Sequence, residues 1–186
     1  MPSTHASTLV WKVLCAALTP AMIAGAQGAP DRHDAQHAGA EPEIVAVRYV
    51  KAALDRQDPR IGSVGSLVLD RRLGSPNQPY AKGAPMRQAE HARALAAALG
   101  SRLDDGDTVL DCGESPSTCR MAGTGIALVR VSPAVVRGDS AFATVSLFRP
   151  TGSPRQPVSR VTWNLVLRRQ GGTWRVLPNL REVERT

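Results

Sequence analysis

His91 is the histidine that lies within a segment of helical periodicity, which makes it the first candidate for a general base. It borders an apolar stripe of Ala89, Ala92, Leu95, Ala96 and Leu99, and no partner for it is identifiable in the sequence; a partly buried structural histidine is the competing reading. His33 and His37 stand four apart with Asp31 and Asp34 beside them, a pattern that would bind a transition metal if helical and otherwise reads as solvated linker. Asp104, Asp105, Asp107 and Asp111 cluster around Gly106. A calcium loop needs a closing bidentate carboxylate that this cluster lacks, so a turn after a helix is the expected role. Cys112 and Cys119 bracket a Gly-, Ser- and Pro-rich segment that turns back easily, and a disulfide between them would contribute about 2–3 kcal/mol at most. No Gly-x-Ser-x-Gly elbow, phosphate loop or dinucleotide fingerprint is present. No cofactor and no metal are expected, and no motif names a reaction.

Charge is unevenly distributed. From Arg120 to Thr186 there are eleven arginines against three acids, Asp139, Glu182 and Glu184. From Gln27 to Cys119 acids slightly outnumber bases. Alternation sets Arg160 and Arg168 on one strand face with Thr162 and Asn164, opposite Trp163. Arg160, Arg168, Arg130 and Arg175 are therefore the candidate anion-binding residues, against the alternative of a solvated outer face. With only seven Phe, Trp and Tyr residues in the chain, no stacking platform for single-stranded nucleic acid is expected. An anionic envelope component is the partner this charge suits.

The elements that must position these residues follow from length and period. The chain has 186 residues, a one-domain length. Residues 1–26 read as a secretory signal: His5 and Lys12, a short apolar run from Val13 to Ile23, and Ala24-Gly25-Ala26 as the cleavage site. Export to the periplasm or beyond is thus expected, Cys15 leaving with the signal. Pro20 and the shortness of the run argue against a retained anchor. Lys12 argues against a lipobox at Cys15. Residues 27–40 read as a disordered tether and 41–186 as a single domain.

A helix is expected from about Glu41 to Gln57, with Pro42 in its first turn and Ile44, Val47, Val50 and Leu54 as its stripe. A second is expected from Pro85 to Leu99, closed by Gly100. Its alanines imply close packing on something flat. From Asp107 the period is two, with strands at Thr108–Asp111, Ile126–Val131, Ala141–Arg149, Val161–Leu167 and Trp174–Leu177. Leu67-Val68-Leu69 is a possible short strand, and Pro133 to Gly138 a bend. The fold class is α+β: N-terminal helices on a curved antiparallel sheet of four to six strands.

Val161-Thr162-Trp163-Asn164-Leu165-Val166-Leu167, Gly171-Gly172 and Trp174-Arg175-Val176 resemble the last hairpin of the nuclear-transport-factor-like cone fold, a shape shared in outline by cystatin-like proteins. Val135-Val136-Arg137-Gly138-Asp139-Ser140-Ala141 resembles the turn into its preceding strand. The resemblance covers roughly the last 60 residues. It implies a pocket between helix and sheet, as in isomerases, dehydratases, small hydrolases and non-catalytic modules of that superfamily. The candidate pocket residues are His91, Tyr49 and Trp163, and the candidate ligand a small hydrophobic molecule or a protein partner. The Asp–Tyr or His–Asp pair of the superfamily's enzymes has no counterpart here, so a non-catalytic module is the leading expectation, a small pocket enzyme the second and an arginine-face binder the third.

Overall fold

In the computed structural model, residues 32–57, 64–113, 118–177 and 182–185 are described, with the backbone alone for 32–41 and 182–185. Helix α1 spans Arg32–Asp55, β1 Ser66–Asp70, α2 Ala89–Leu99, β2 Arg102–Asp104, a short α3 Gly106–Val109, β3 Leu110–Asp111 and β4 Arg120–Met121. There follow β5 Ile126–Val131, β6 Val135–Arg137, β7 Ser140–Pro150, β8 Val158–Gln170, β9 Thr173–Val176 and β10 Glu182–Arg185. The α+β class and the curved sheet under helices stand. The signal segment, its cleavage site and Cys15 lie outside the described residues, as do the side chains of His33 and His37. Among the described residues no helix is long and apolar enough to cross a membrane.

The main sheet has eight strands in the order β10-β8-β7-β5-β1-β2, with β6 also on β7 and β9 also on β8. It is mixed rather than purely antiparallel, because β1 runs parallel to both β2 and β5. A parallel pair needs a long crossover, and α2 supplies it between β1 and β2. Leu67-Val68-Leu69 is apolar on both faces, as a doubly covered strand requires. A three-residue run does not reveal its direction. The backbone of β10 lies in register with β8, Val183 opposite Trp163.

Helix α1 begins at Arg32, inside the segment expected as a tether, so Pro42 falls within the helix and forfeits one backbone hydrogen bond there. Helix α2 starts at Ala89 rather than Pro85, because Met86 bridges to Arg72 in extended conformation; Gly100 ends it in the left-handed region at φ 68°. The expected β-run over Thr108–Asp111 is half helix: Asp105 accepts the Asp107 amide and starts α3, and only Leu110–Asp111 pairs, with β4.

Alternation divides the sheet into two faces. On the inner face Leu69, Val129, Val131, Ala141, Val145, Leu147, Leu165 and Leu167 are buried against Val47, Val50, Leu95 and Leu99 of the helices. The small residues Ala92, Ala96, Ala141 and Ala143 let helix and sheet approach closely. The outer face is covered at one end by a second cluster in which Phe148, Leu128, Val68 and Val158 pack under Val109, Leu110 and the Cys112–Cys119 disulfide. Tyr80 meets Phe148 edge to face at 5.4 Å.

Asp70, 1 % exposed, ties this cover to the sheet. Its Oδ1 accepts the backbone amides of Arg72 and Gly106, each within 2.9 Å, and its Oδ2 accepts Arg130 Nε at 2.7 Å. A Cβ on Gly106 would sit 1.9 Å from Asp70 Oδ2. Gly106→Ala should therefore destabilise the protein by about 1–3 kcal/mol, read as a lower urea midpoint. Gly125→Ala, where a Cβ meets nothing within 4 Å, should leave the midpoint nearly unchanged.

Candidate functional site

Among the described residues the buried charged side chains, Glu43, Arg87, Asp70 and Arg130, fall in two clusters, and both serve the fold. In the first, Glu43 from α1 (5 % exposed) accepts Arg87 Nη1 at 2.5 Å and faces His91 Nε2 at 2.7 Å through one carboxylate oxygen. Its other oxygen accepts the Ala134 amide at 2.9 Å, and Arg87 Nη2 donates to the Val131 carbonyl. His91 thus has a partner that sequence spacing concealed, because Glu43 lies on the other helix. The pair locks α1 to α2 and to the end of β5. Burial pulls the Arg87 guanidinium below its ordinary pKa, opposed by Glu43.

The second cluster joins Asp70, Arg130, Arg72, Asp105 and Asp107. Arg72 forks onto Asp105 at 2.7 and 2.8 Å and donates to the Ala84 carbonyl. Arg130 donates to the carbonyls of Pro79 and Ala81 and reaches Asp107 at 3.2 Å. A cavity of about 20 Å³, the size of one water, lies beside Asp70 and Arg130. The aspartates around Gly106 are therefore occupied by arginines, by backbone amides and, at Asp111, by Lys82, and among the described residues no group of acids, His and Cys is placed to hold a metal.

Of the expected anion-binding residues, Arg130 is a correction: it is buried and neutralised, because its neighbour across the sheet end is Asp70 rather than solvent. Arg160 reaches over the Tyr80 ring at 5.5 Å. Arg168 and Arg175 are exposed and lie directly opposite each other. The expected pocket residues are not brought together around a described cavity. Trp163 is 3 % exposed within the inner core, Tyr49 packs against that core, and His91 belongs to the Glu43 pair.

A larger cavity, about 540 Å³, opens where β1 and β5 begin, β7 ends and β8 starts. That is within the range of small-molecule sites. Its lining includes Val64, Ile126, Ala127, Arg149, Thr151 and Ser159. Arg149 and Ser159 are cross-strand partners in the β7–β8 register, and they continue the inner-face series of Leu147 and Val161. Arg149 Nε and Ser159 Oγ are both buried without a hydrogen-bond partner among the described residues. Gly65 lets the chain before β1 close on the chain before β5 at the rim: a Cβ on Gly65 would meet the Gly125 carbonyl oxygen at 2.1 Å. Neither Arg149 nor Ser159 was singled out from the sequence. The available signal was that each breaks an apolar alternation, Arg149 after Ala141, Ala143, Val145 and Leu147, and Ser159 before Val161, Trp163, Leu165 and Leu167.

No protein-family model, no curated protein and no solved structure matches the chain.

Two predictions test the clusters. Glu43→Gln leaves Arg87 as an unpaired buried charge and should cost about 3 kcal/mol or more, whereas Glu43→Gln with Arg87→Met should recover much of that loss, both read by urea unfolding. Arg72 hydrogen-bonding holds the Asp105 carboxyl below its usual range. A carboxyl with a depressed folded pKa stabilises above its unfolded pKa and loses that contribution as pH falls through the folded one. The urea midpoint should therefore drop as pH falls from about 5 toward 2, and less steeply in Arg72→Met.

Proposed function

We propose that this chain is an exported, non-catalytic binding module. Its ligand is a small molecule with an apolar body and an anionic head, held in the 540 Å³ cavity at the end of the inner sheet face. The observation that carries the proposal is the facing pair Arg149 and Ser159, whose buried Nε and Oγ have no hydrogen-bond partner among the described residues. A buried donor left unpaired costs about 1–3 kcal/mol, and a ligand acceptor placed there removes that cost. Arg149 is the charged residue of the lining, which favours a carboxylate or phosphate-like group. Val64, Ile126, Ala127 and Pro150 supply the apolar wall.

Binding is favoured over turnover by the same lining. It holds Arg, Thr and Ser but no His, Asp, Glu, Cys or Lys, so no group there takes and returns a proton near neutral pH. His91, the strongest catalytic candidate from sequence, is engaged by Glu43 and does not line this cavity. The resemblance of the β8–β9 hairpin to cone-fold modules, many of which carry a pocket without activity, points the same way. Export rests on the signal-like first 26 residues.

Native mass spectrometry of the protein recovered from its exported fraction tests this reading. The expected result is a chain starting near Gln27 with an acidic small molecule retained. Arg149→Met should weaken the ligand about 10- to 100-fold, and Ser159→Ala about fivefold. An adduct-free mass, together with no thermal shift across a panel of small carboxylates and phosphate esters, would rule the proposal out.

A further inference from the structure

We infer that the β6–β7 hairpin, with the arginine row beside it, is a docking surface for an anionic lipid membrane. Among the described residues four large apolar side chains are prominently exposed, and three of them sit on this hairpin: Val135 at 52 %, Phe142 at 46 % and Val136 at 39 %. Val135 pairs with Phe142 and Val136 with Ala141, so Val135 and Phe142 share the outer face while Val136 lies on the other. Val135 and Phe142 make an exposed apolar pair on the outer face, and Val136 adds a third exposed apolar side chain on the same short strand β6, a set that suits the acyl boundary of a bilayer.

The charge pattern selects an anionic surface. Register sets Arg137 opposite Ser140, Ser140 opposite Arg168, and Arg168 opposite Arg175. These three arginines therefore occupy one row across β6, β8 and β9, on the outer face and next to the Val135–Phe142–Val166 row. Strands stand about 4.8 Å apart, so Arg168 and Arg175 are like charges at close range, an arrangement that is unfavourable unless counter-charge is supplied. All three are exposed and make no ion pair among the described residues. By contrast Arg72, Arg87 and Arg130 each have an acid in contact. Two adjacent rows, one apolar and one cationic, match the acyl edge and the phosphate level of a bilayer surface.

This surface lies on the other face of the sheet from Arg149 and Ser159, so the two proposals stand or fall separately. The test is cosedimentation of the full chain with vesicles of phosphatidylglycerol in phosphatidylcholine, compared with phosphatidylcholine alone, and hydrogen exchange of the hairpin amides. Binding to the anionic vesicles alone is expected, with slowed exchange over residues 135–142 and release by salt. Arg137→Glu, Arg168→Glu and Arg175→Glu together should weaken it on the order of 100-fold. Val135→Ser with Phe142→Ser should weaken it about tenfold. Val135→Ser alone carries the apolar test if Phe142→Ser lowers the urea midpoint. Three results would overturn the inference: equal binding to both vesicle types, anionic-vesicle binding unchanged in either variant set with no protection of 135–142, or binding to a soluble polyanion that matches vesicle binding and ignores the apolar substitutions.

Discussion

The buried carboxylate of Asp70 is the contact on which the outer half of the molecule depends. It ends β1, the central parallel strand, and takes hydrogen bonds from the Arg72 amide, the Gly106 amide and Arg130 Nε. Through these it joins the 71–86 loop, the α3 turn and β5. Arg130 in turn gathers the Pro79 and Ala81 carbonyls and lies 5.8 Å over the Phe148 ring. A carboxylate this deeply buried is tolerated only when its lone pairs are used, and here at least three donors use them. The second hydrophobic cluster, with its disulfide, rests on the frame this cluster makes.

Close packing on the inner face decides where a ligand has room. Alanines on α2 bring that helix close to β1, alanines on β7 bring that strand close to α1, and the centre of the layer is filled by Leu69, Val145 and Leu165. Space opens where the apolar series ends, at Arg149 and Ser159. The cavity thus exists because two polar residues occupy the positions where the next core residues would have stood. A leucine at 149 would extend the core; an arginine there holds a donor at the boundary between core and solvent.

The α+β class, the two helices, β5, β7, β8 and the disulfide pair were legible in the sequence, because each rests on a local period or on composition. Leu95 and Leu99 announce α2, and Val161, Trp163, Leu165 and Leu167 announce β8. What was not legible depends on contacts distant in the chain. Glu43 meets Arg87 and His91 across 44 and 48 residues, and Asp70 meets Arg130 across 60. The parallel pairing of β1 was hidden because the apolar run in a doubly covered strand is the same whichever way its neighbours run. Arg130 looked like part of a basic face, since its strand alternates correctly; the acid that neutralises it comes from elsewhere.

The arginine excess takes on meaning only after such pairs are removed. Arg72, Arg87 and Arg130 are matched by Asp105, Glu43 and Asp70, and Arg169 lies over the Trp174 ring at 4.6 Å. Four acids of the first half of the chain, Glu43, Asp70, Asp105 and Asp107, are used in this way, two of them on Arg130 from the sheet half. Among the other described arginines, Arg149 lies at the cavity and Arg137, Arg168 and Arg175 lie in one outer row. A surface arginine isolated among solvated residues would need no explanation. Arg168 and Arg175, directly opposite each other beside exposed Phe142 and Val135, are like charges at close range, and the proposed anionic surface would offset their repulsion.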